Sequence, residues 1–211
     1  MAIRTYSTMA SGFRGTQNGY VQNMITDQPG FGVPGMLPYA SDNTLVDSFI
    51  VGADVFAGAG CILLPNSAFT SPALIGSPVN YQTPPELMAL PSAAQSPSGL
   101  ALGNFAGVVV FNENMQSNSS GYPGWAQGRV GQLLRPNRAG GRIFVVARET
   151  IVPGTSTVNW IVVGDTAGLY AAGEFAPEAY STNSATSVAI TTAKWITPAV
   201  AGGIAIIEFG I

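Results

Sequence analysis

The chain has no histidine, a single cysteine, and Asp, Glu, Lys and Arg at only 9% of its 211 residues. Each shortage excludes something. Without histidine no Ser-His-Asp or Cys-His nucleophilic system can be assembled, and the commonest general base and a leading metal ligand are missing. One cysteine, Cys61, permits neither an internal disulfide nor a thiolate cluster. Within Gly60-Cys61-Ile62-Leu63-Leu64 it reads as a small buried hydrophobe. A soluble domain normally carries about 25% charged residues. A chain this poor in charge cannot coat a monomer in the usual solvated shell, so part of its surface is expected to lie against other protein. No enzymatic activity, cofactor or metal is expected.

Long apolar runs are missing as well. No stretch approaches the roughly 18 apolar residues of a membrane-spanning helix, so no membrane partner is expected. Met1–Tyr6, followed by Ser and Gly, does not read as a signal peptide. The net charge of −3 argues against nucleic acid as a direct partner. Arg129, Arg135, Arg138, Arg142 and Arg148 do gather in one stretch, but Val130, Leu133, Leu134, Ile143 and Val145 interrupt it. Strand-end and interface arginines are favoured there over a phosphate site. Gly30-Phe31-Gly32 and Gly140-Gly141 lack the spacing and following helix of a phosphate loop. The eleven acids are scattered. A carboxylate pair across a cleft is invisible to spacing, so a carboxylate-based hydrolase stays open as a third reading.

What replaces charge is 26 Gly and 15 Pro, with Ser, Thr, Asn and Ala, a mixture that favours turns and strands. Residues 1–42 show no sustained period, and Gln28–Pro38 is crowded with Pro and Gly, which reads as an extended arm. Phe13, Tyr20, Phe31 and Met36 could anchor this arm to a partner; an arm folded back on its own domain is an equal alternative. From residue 43 onward short strand-like runs begin, at 45–50, Val55-Phe56 and 61–64. Thr83-Pro84-Pro85-Glu86 has the form of a helix start, and Glu86–Leu90 is expected to be one or two helical turns ended by Pro91.

The second half carries the strongest β signal. Val108–Phe111, Gly128–Leu134, Gly141–Arg148, Asn159–Val163, Val188–Ile190, Trp195-Ile196 and Ile204–Phe209 are each short and mostly bounded by turn formers. Several are apolar on both faces: Ile143, Val145 and Ala147 point one way, Phe144 and Val146 the other. Such strands lie between two layers, or their outer face meets another subunit. The expected fold is all-β: an antiparallel β-sandwich or jelly-roll-like barrel over residues 43–211, with the 1–42 arm and at most one short helix. Trp195 reads foremost as a core tryptophan at a sheet end, with subunit contact as the alternative. Trp125 is a second contact candidate at a sheet end.

In its order of motifs the chain resembles the bacteriophage structural cement, or capsid decoration, proteins. Phe105-Ala106-Gly107-Val108-Val109, Gly121-Tyr122-Pro123-Gly124 and Gly141-Arg142-Ile143-Phe144-Val145 are similar to that family's strands and turn. Ile151–Gly154, Gly168–Gly173, Ala193-Lys194-Trp195 and Ala201–Ala205 follow in the family's order. The resemblance covers roughly residues 30–211, and the stretch around Ser67–Ser98 departs from a compact member as an insertion. It implies a virion protein, a homotrimer or homodimer on the outer surface of a phage head, that cements neighbouring copies of the major capsid protein. Phe13, Tyr20, Phe31, Met36, Trp125 and Trp195 are then the candidate capsid or subunit contacts. The alternative is a phage fibre or receptor-binding β-domain reading host glycans, with Tyr122, Trp125 and Gln127 as its platform.

Overall fold

Among the described residues, short aliphatic runs punctuated by glycine and proline fold into fourteen strands and no helix. The computed structural model describes residues 32–38, 46–65, 86–91, 104–112, 115–117, 123–136, 140–165, 167–178 and 186–210. The largest sheet has five strands in the order β1 (Val46–Ile50), β8 (Val130–Leu134), β5 (Gly107–Val109), β3 (Gly60–Pro65) and β4 (Glu86–Ala89). Three sheets of three strands accompany it. One runs β11 (Phe175–Ala176), β10 (Asn159–Val163), β12 (Thr186–Ala189). Another runs β13 (Ala193–Trp195), β14 (Ile204–Phe209), β9 (Arg142–Val146). The smallest runs β2 (Val55–Phe56), β7 (Pro123–Trp125), β6 (Gln116–Ser117). All named ladders are antiparallel. A single bridge, Val51 to Met88, links the end of β1 to β4 without closing a barrel. Of the two expected architectures the chain adopts the sandwich.

Strands of the five-stranded sheet are apolar on both faces because that sheet is covered on both sides. Val108 stands opposite Leu134 and Val109 opposite Leu133, so successive residues face opposite ways. Val108 and Leu134 enter the larger core with Ile62, Ile143, Val145, Trp160 and Phe209. Val109, Leu133 and Cys61 turn to a second core with Val51, Val55 and Met88, against which Phe56 and Trp125 of the small sheet pack. A sheet covered on both faces needs continuous apolar runs, and these strands have them.

The expected helix is absent: Glu86–Ala89 is strand β4, pairing Leu87 with Leu64 and Met88 with Leu63. Four residues are too few to repay the cost of nucleating a helix. As a strand they bury Leu87, Met88 and Ala89 almost completely. Thr83–Pro85, which suggested the cap, lie outside the described residues, as does most of the stretch read as an insertion. The part that is described belongs to the central sheet.

Residues 32–38 lie as a strap on the domain. The Gly35 N–H donates to the Phe144 carbonyl at 2.7 Å, and the Phe144 N–H donates to the Met36 carbonyl at 3.0 Å. On the other side the Phe111 N–H donates to the Gly35 carbonyl at 2.7 Å. The strap thereby stitches β9 to the end of β5. Gly35 has φ of 83°, and a Cβ there would fall 2.7 Å from the Val109 carbonyl oxygen and 2.8 Å from the Gly58 and Phe111 nitrogens. Only glycine meets both the left-handed conformation and the close backbone approach.

Candidate functional site

The outer face of the β9–β14–β13 sheet divides into an apolar half and an ionic half. Alternation places Phe144 and Val146 of β9 beside Ile206 and Ile204 of β14, their direct cross-strand partners. Phe144 and Ile206 are buried, with half-buried Met36, Ile196 and Ile204 packed around them. The strap supplies that cover, because Met36 belongs to it. At the other end Glu208 faces Arg142 and Lys194 across the two ladders. Its carboxylate accepts a hydrogen bond from Arg142 Nε and pairs with Lys194 Nζ at 2.8 Å.

The Lys194 ammonium, opposed by partial burial and aided by Arg142, holds the Glu208 carboxyl below the usual carboxylate range. A depressed carboxylate stabilises the fold above its unfolded pKa, and that stabilisation is lost as pH falls through the folded value. Lys194 is 67% exposed, so screening limits the pair to about 1 kcal/mol. Glu208→Gln is therefore expected to flatten the acid limb of a plot of melting temperature against pH, with the variant and the parent converging below about pH 4. Parallel acid limbs would show that Glu208 does not set the limb.

Arg148 and Arg135 are also committed within the fold. Arg148 forms a two-pronged pair with Glu174, its Nε at 2.5 Å from Oε2. Arg135 lies 3.9 Å from Asp47 and over the Phe49 ring at 5.5 Å. Arg129 is exposed, and Arg138 lies outside the described residues. Arg135, Arg142 and Arg148 each pair with a different carboxylate of the same domain. Cys61 is fully buried, and burial pushes its thiol pKa up, so it stays protonated and inert. Among the described residues no three His, Cys, Asp or Glu side chains are grouped to hold a metal.

The six contact candidates do not come together. Phe13, Tyr20 and Phe31 lie outside the described residues. Met36 is half-buried in the strap. Trp125 is half-buried against the second core, and Trp195 is 3% exposed in the larger core, donating its indole N–H to the Thr157 carbonyl at 2.6 Å. Of the glycan platform, Tyr122 is outside the described residues and the Gln127 N–H is tied to Asp54 at 2.9 Å. The large apolar residues with the most exposure among the described residues are instead aliphatic: Val130, Val152, Leu169 and Val200. Val130 opens strand β8, whereas Val152, Leu169 and Val200 are isolated aliphatics in turns and carry no periodic signal.

The described residues thus form a sandwich with doubly covered strands, ion pairs within the domain and exposed aliphatic turns. The chain belongs to the structural cement protein family: the family model described as "Structural cement protein (E217 gp24/Pam3 gp6)" matches residues 21–210. It is thus a structural protein associated with the bacteriophage capsid. Among solved structures, a chain of "The capsid of Myoviridae Phage XM1" aligns at 9% identity with a TM-score of 0.44, covering 78% of this chain and 82% of that one. No curated protein matches the chain by sequence.

Proposed function

We propose that the protein binds the outer surface of an assembled phage head as a homotrimer or homodimer and bridges neighbouring major capsid subunits. The observation that carries this reading is the family match, which spans the sandwich and the strap together. Charge at 9% of residues is consistent with a surface shared with other protein. The work would be done by buried area and copy number. A standard interface buries about 1,600 Å² in total, and linking several through one oligomer multiplies avidity through effective concentration. In this reading the 1–42 arm reaches a neighbour through Phe13, Tyr20 and Phe31 and is rooted by Met36 on Phe144, with half-buried Trp125 as a further contact candidate and Trp195 enclosed in its own core. The strap supports a fixed root for that arm at Phe144. The glycan-reading alternative is less well supported, because the most exposed apolar side chains among the described residues are aliphatic and offer no ring for a sugar to stack on.

The purified protein is expected to be oligomeric by light scattering and to co-sediment with heads assembled without it. A monomer that leaves such heads bare at micromolar concentration overturns the proposal.

A further inference from the structure

Three of the four exposed aliphatic residues lie on turns gathered around one stretch of the chain. Val152, Leu169 and Val200 sit on three separate turns, and each turn is hydrogen-bonded to the stretch from Ala147 to Val152. The Val200 turn is held by three bonds of 2.8 Å: Ile151 N–H to the Ala199 carbonyl, Gly202 N–H to the Ala147 carbonyl, and Ala147 N–H to the Gly203 carbonyl. The Leu169 loop is held by the Tyr170 hydroxyl, which donates to Glu149 at 2.8 Å, and by Glu174, which accepts the Ala171 N–H at 2.7 Å while paired with Arg148. The Val152 turn closes on itself: the Ser156 N–H donates to the Val152 carbonyl at 2.9 Å, and the Val152 N–H donates to Ser156 Oγ at 3.0 Å. Pro153-Gly154 occupies its centre, with Gly154 at φ 84°, as a type II turn requires.

The turn tips themselves carry no charge. No Asp, Glu, Lys or Arg occurs from Thr150 to Gly164 or from Trp195 to Ile207. Arg148, Glu149 and Asp165, the charged residues that flank these turns, are engaged internally, Asp165 by accepting the Tyr170 N–H at 3.0 Å. Loops this well tied would ordinarily turn polar residues outward, yet each presents an aliphatic one: Val152 is 53% exposed, Leu169 60% and Val200 72%. A surface without charge suits a partner without charge, since an ionic partner would lose hydration and gain no counter-charge. Turn tips are convex. Two copies meeting tip to tip across a two-fold axis would bury little of them. The occupant must instead offer apolar hollows.

We infer that these three turns form the surface that meets the capsid, with Val152, Leu169 and Val200 as pegs seated in uncharged apolar hollows of the major capsid protein. The inference rests on the proposed head binding. Because the turns are held rigidly, little conformational entropy is lost when the pegs seat.

The test uses the full-length protein and heads assembled without it. The triple variant V152S/L169S/V200S is expected to keep the parent's melting temperature and oligomeric state but to bind heads roughly 100-fold more weakly, from the apolar area withdrawn. Val130→Ser, which removes the fourth exposed aliphatic, is expected to bind as the parent does. Head binding by the triple variant equal to the parent's overturns the inference and leaves head binding itself intact. A changed oligomeric state with unchanged head binding overturns it too, by making the turns a contact between copies. Failure of the parent to bind heads overturns the proposed function, and this inference with it.

Discussion

Trp160→Ala is expected to lower the unfolding free energy by about 4 kcal/mol, the range for removing a fully buried large aromatic. Trp160 is 0% exposed on β10 and meets the Phe105 ring edge-on at 5.0 Å. Phe105 in turn contacts Phe175 at 6.4 Å and Phe209 at 6.0 Å. The indole therefore ties the β10 sheet to the five-stranded sheet, and Phe105 carries the contact on to Phe209 of β14. The indole N–H donates to the Gly60 carbonyl at 3.2 Å, so the truncation also strips a buried acceptor of its donor. Trp160→Phe separates the two contributions: it keeps most of the apolar area and is expected to cost less than the alanine, with at least about 1 kcal/mol due to the orphaned carbonyl. Urea denaturation of both variants measures this. A loss below about 1 kcal/mol for the alanine would mean that the cavity collapses and that the three sheets do not depend on this ring.

The second large effect is local. Gly35→Ala is expected to detach the strap and cost about 2–3 kcal/mol, from left-handed strain, lost backbone bonds and exposure of the Phe144 ring. The Cβ meets backbone atoms of the Val109, Gly58 and Phe111 positions, which cannot move without disturbing β5. The strap yields before the sheet does. Three readouts should change together: a lower denaturation midpoint, faster proteolysis within residues 32–38, and greater binding of a hydrophobic dye at the uncovered Phe144. Gly154→Ala is the contrast, because its φ is 84° but nothing lies within 4 Å of the added Cβ. It should cost only the strain, about 1 kcal/mol. Equal losses for the two glycines would mean that the strap is not clamped as described.

Much of the fold was legible in the chain. The runs at 141–148, 159–163 and 204–209 became β9, β10 and β14, because short aliphatic stretches between turn formers have few other ways to bury themselves. Apolar character on both faces of these runs demanded double cover. It did not say what supplies the cover, since a layer of the same domain and a neighbouring subunit leave the same pattern. The helix expected at 86–90 failed for a related reason: a cap-like local signal gave way to pairing with β3, a partner more than twenty residues upstream.

The candidate site was legible only in outline. Aromatics were singled out because they dominate interface cores, yet Trp195 is enclosed by its own domain and Trp125 packs on the second core. The exposed side chains are single aliphatics in turns at positions 152, 169 and 200; Val152 and Leu169 fall within the family-like stretches 151–154 and 168–173, but no period marks any of the three as exposed. Only the hydrogen bonds that gather their turns onto residues 147–152 bring them together.

By itself, then, the sequence determined the class of protein and what it lacks: no histidine chemistry, little charge, strands that need cover, and a family-like order of motifs. The shortages and the need for cover follow from composition and spacing, which act locally along the chain; the class of protein follows from the family resemblance. The tertiary structure decided which surfaces are covered from within and which are left over. The central sheet is enclosed by its neighbouring sheets, Phe144 is closed by the chain's own strap, and three aliphatic turns remain outside. Those outcomes depend on contacts between residues tens to more than a hundred positions apart, as from Gly35 to Phe144. Short-range pattern carries no record of such contacts.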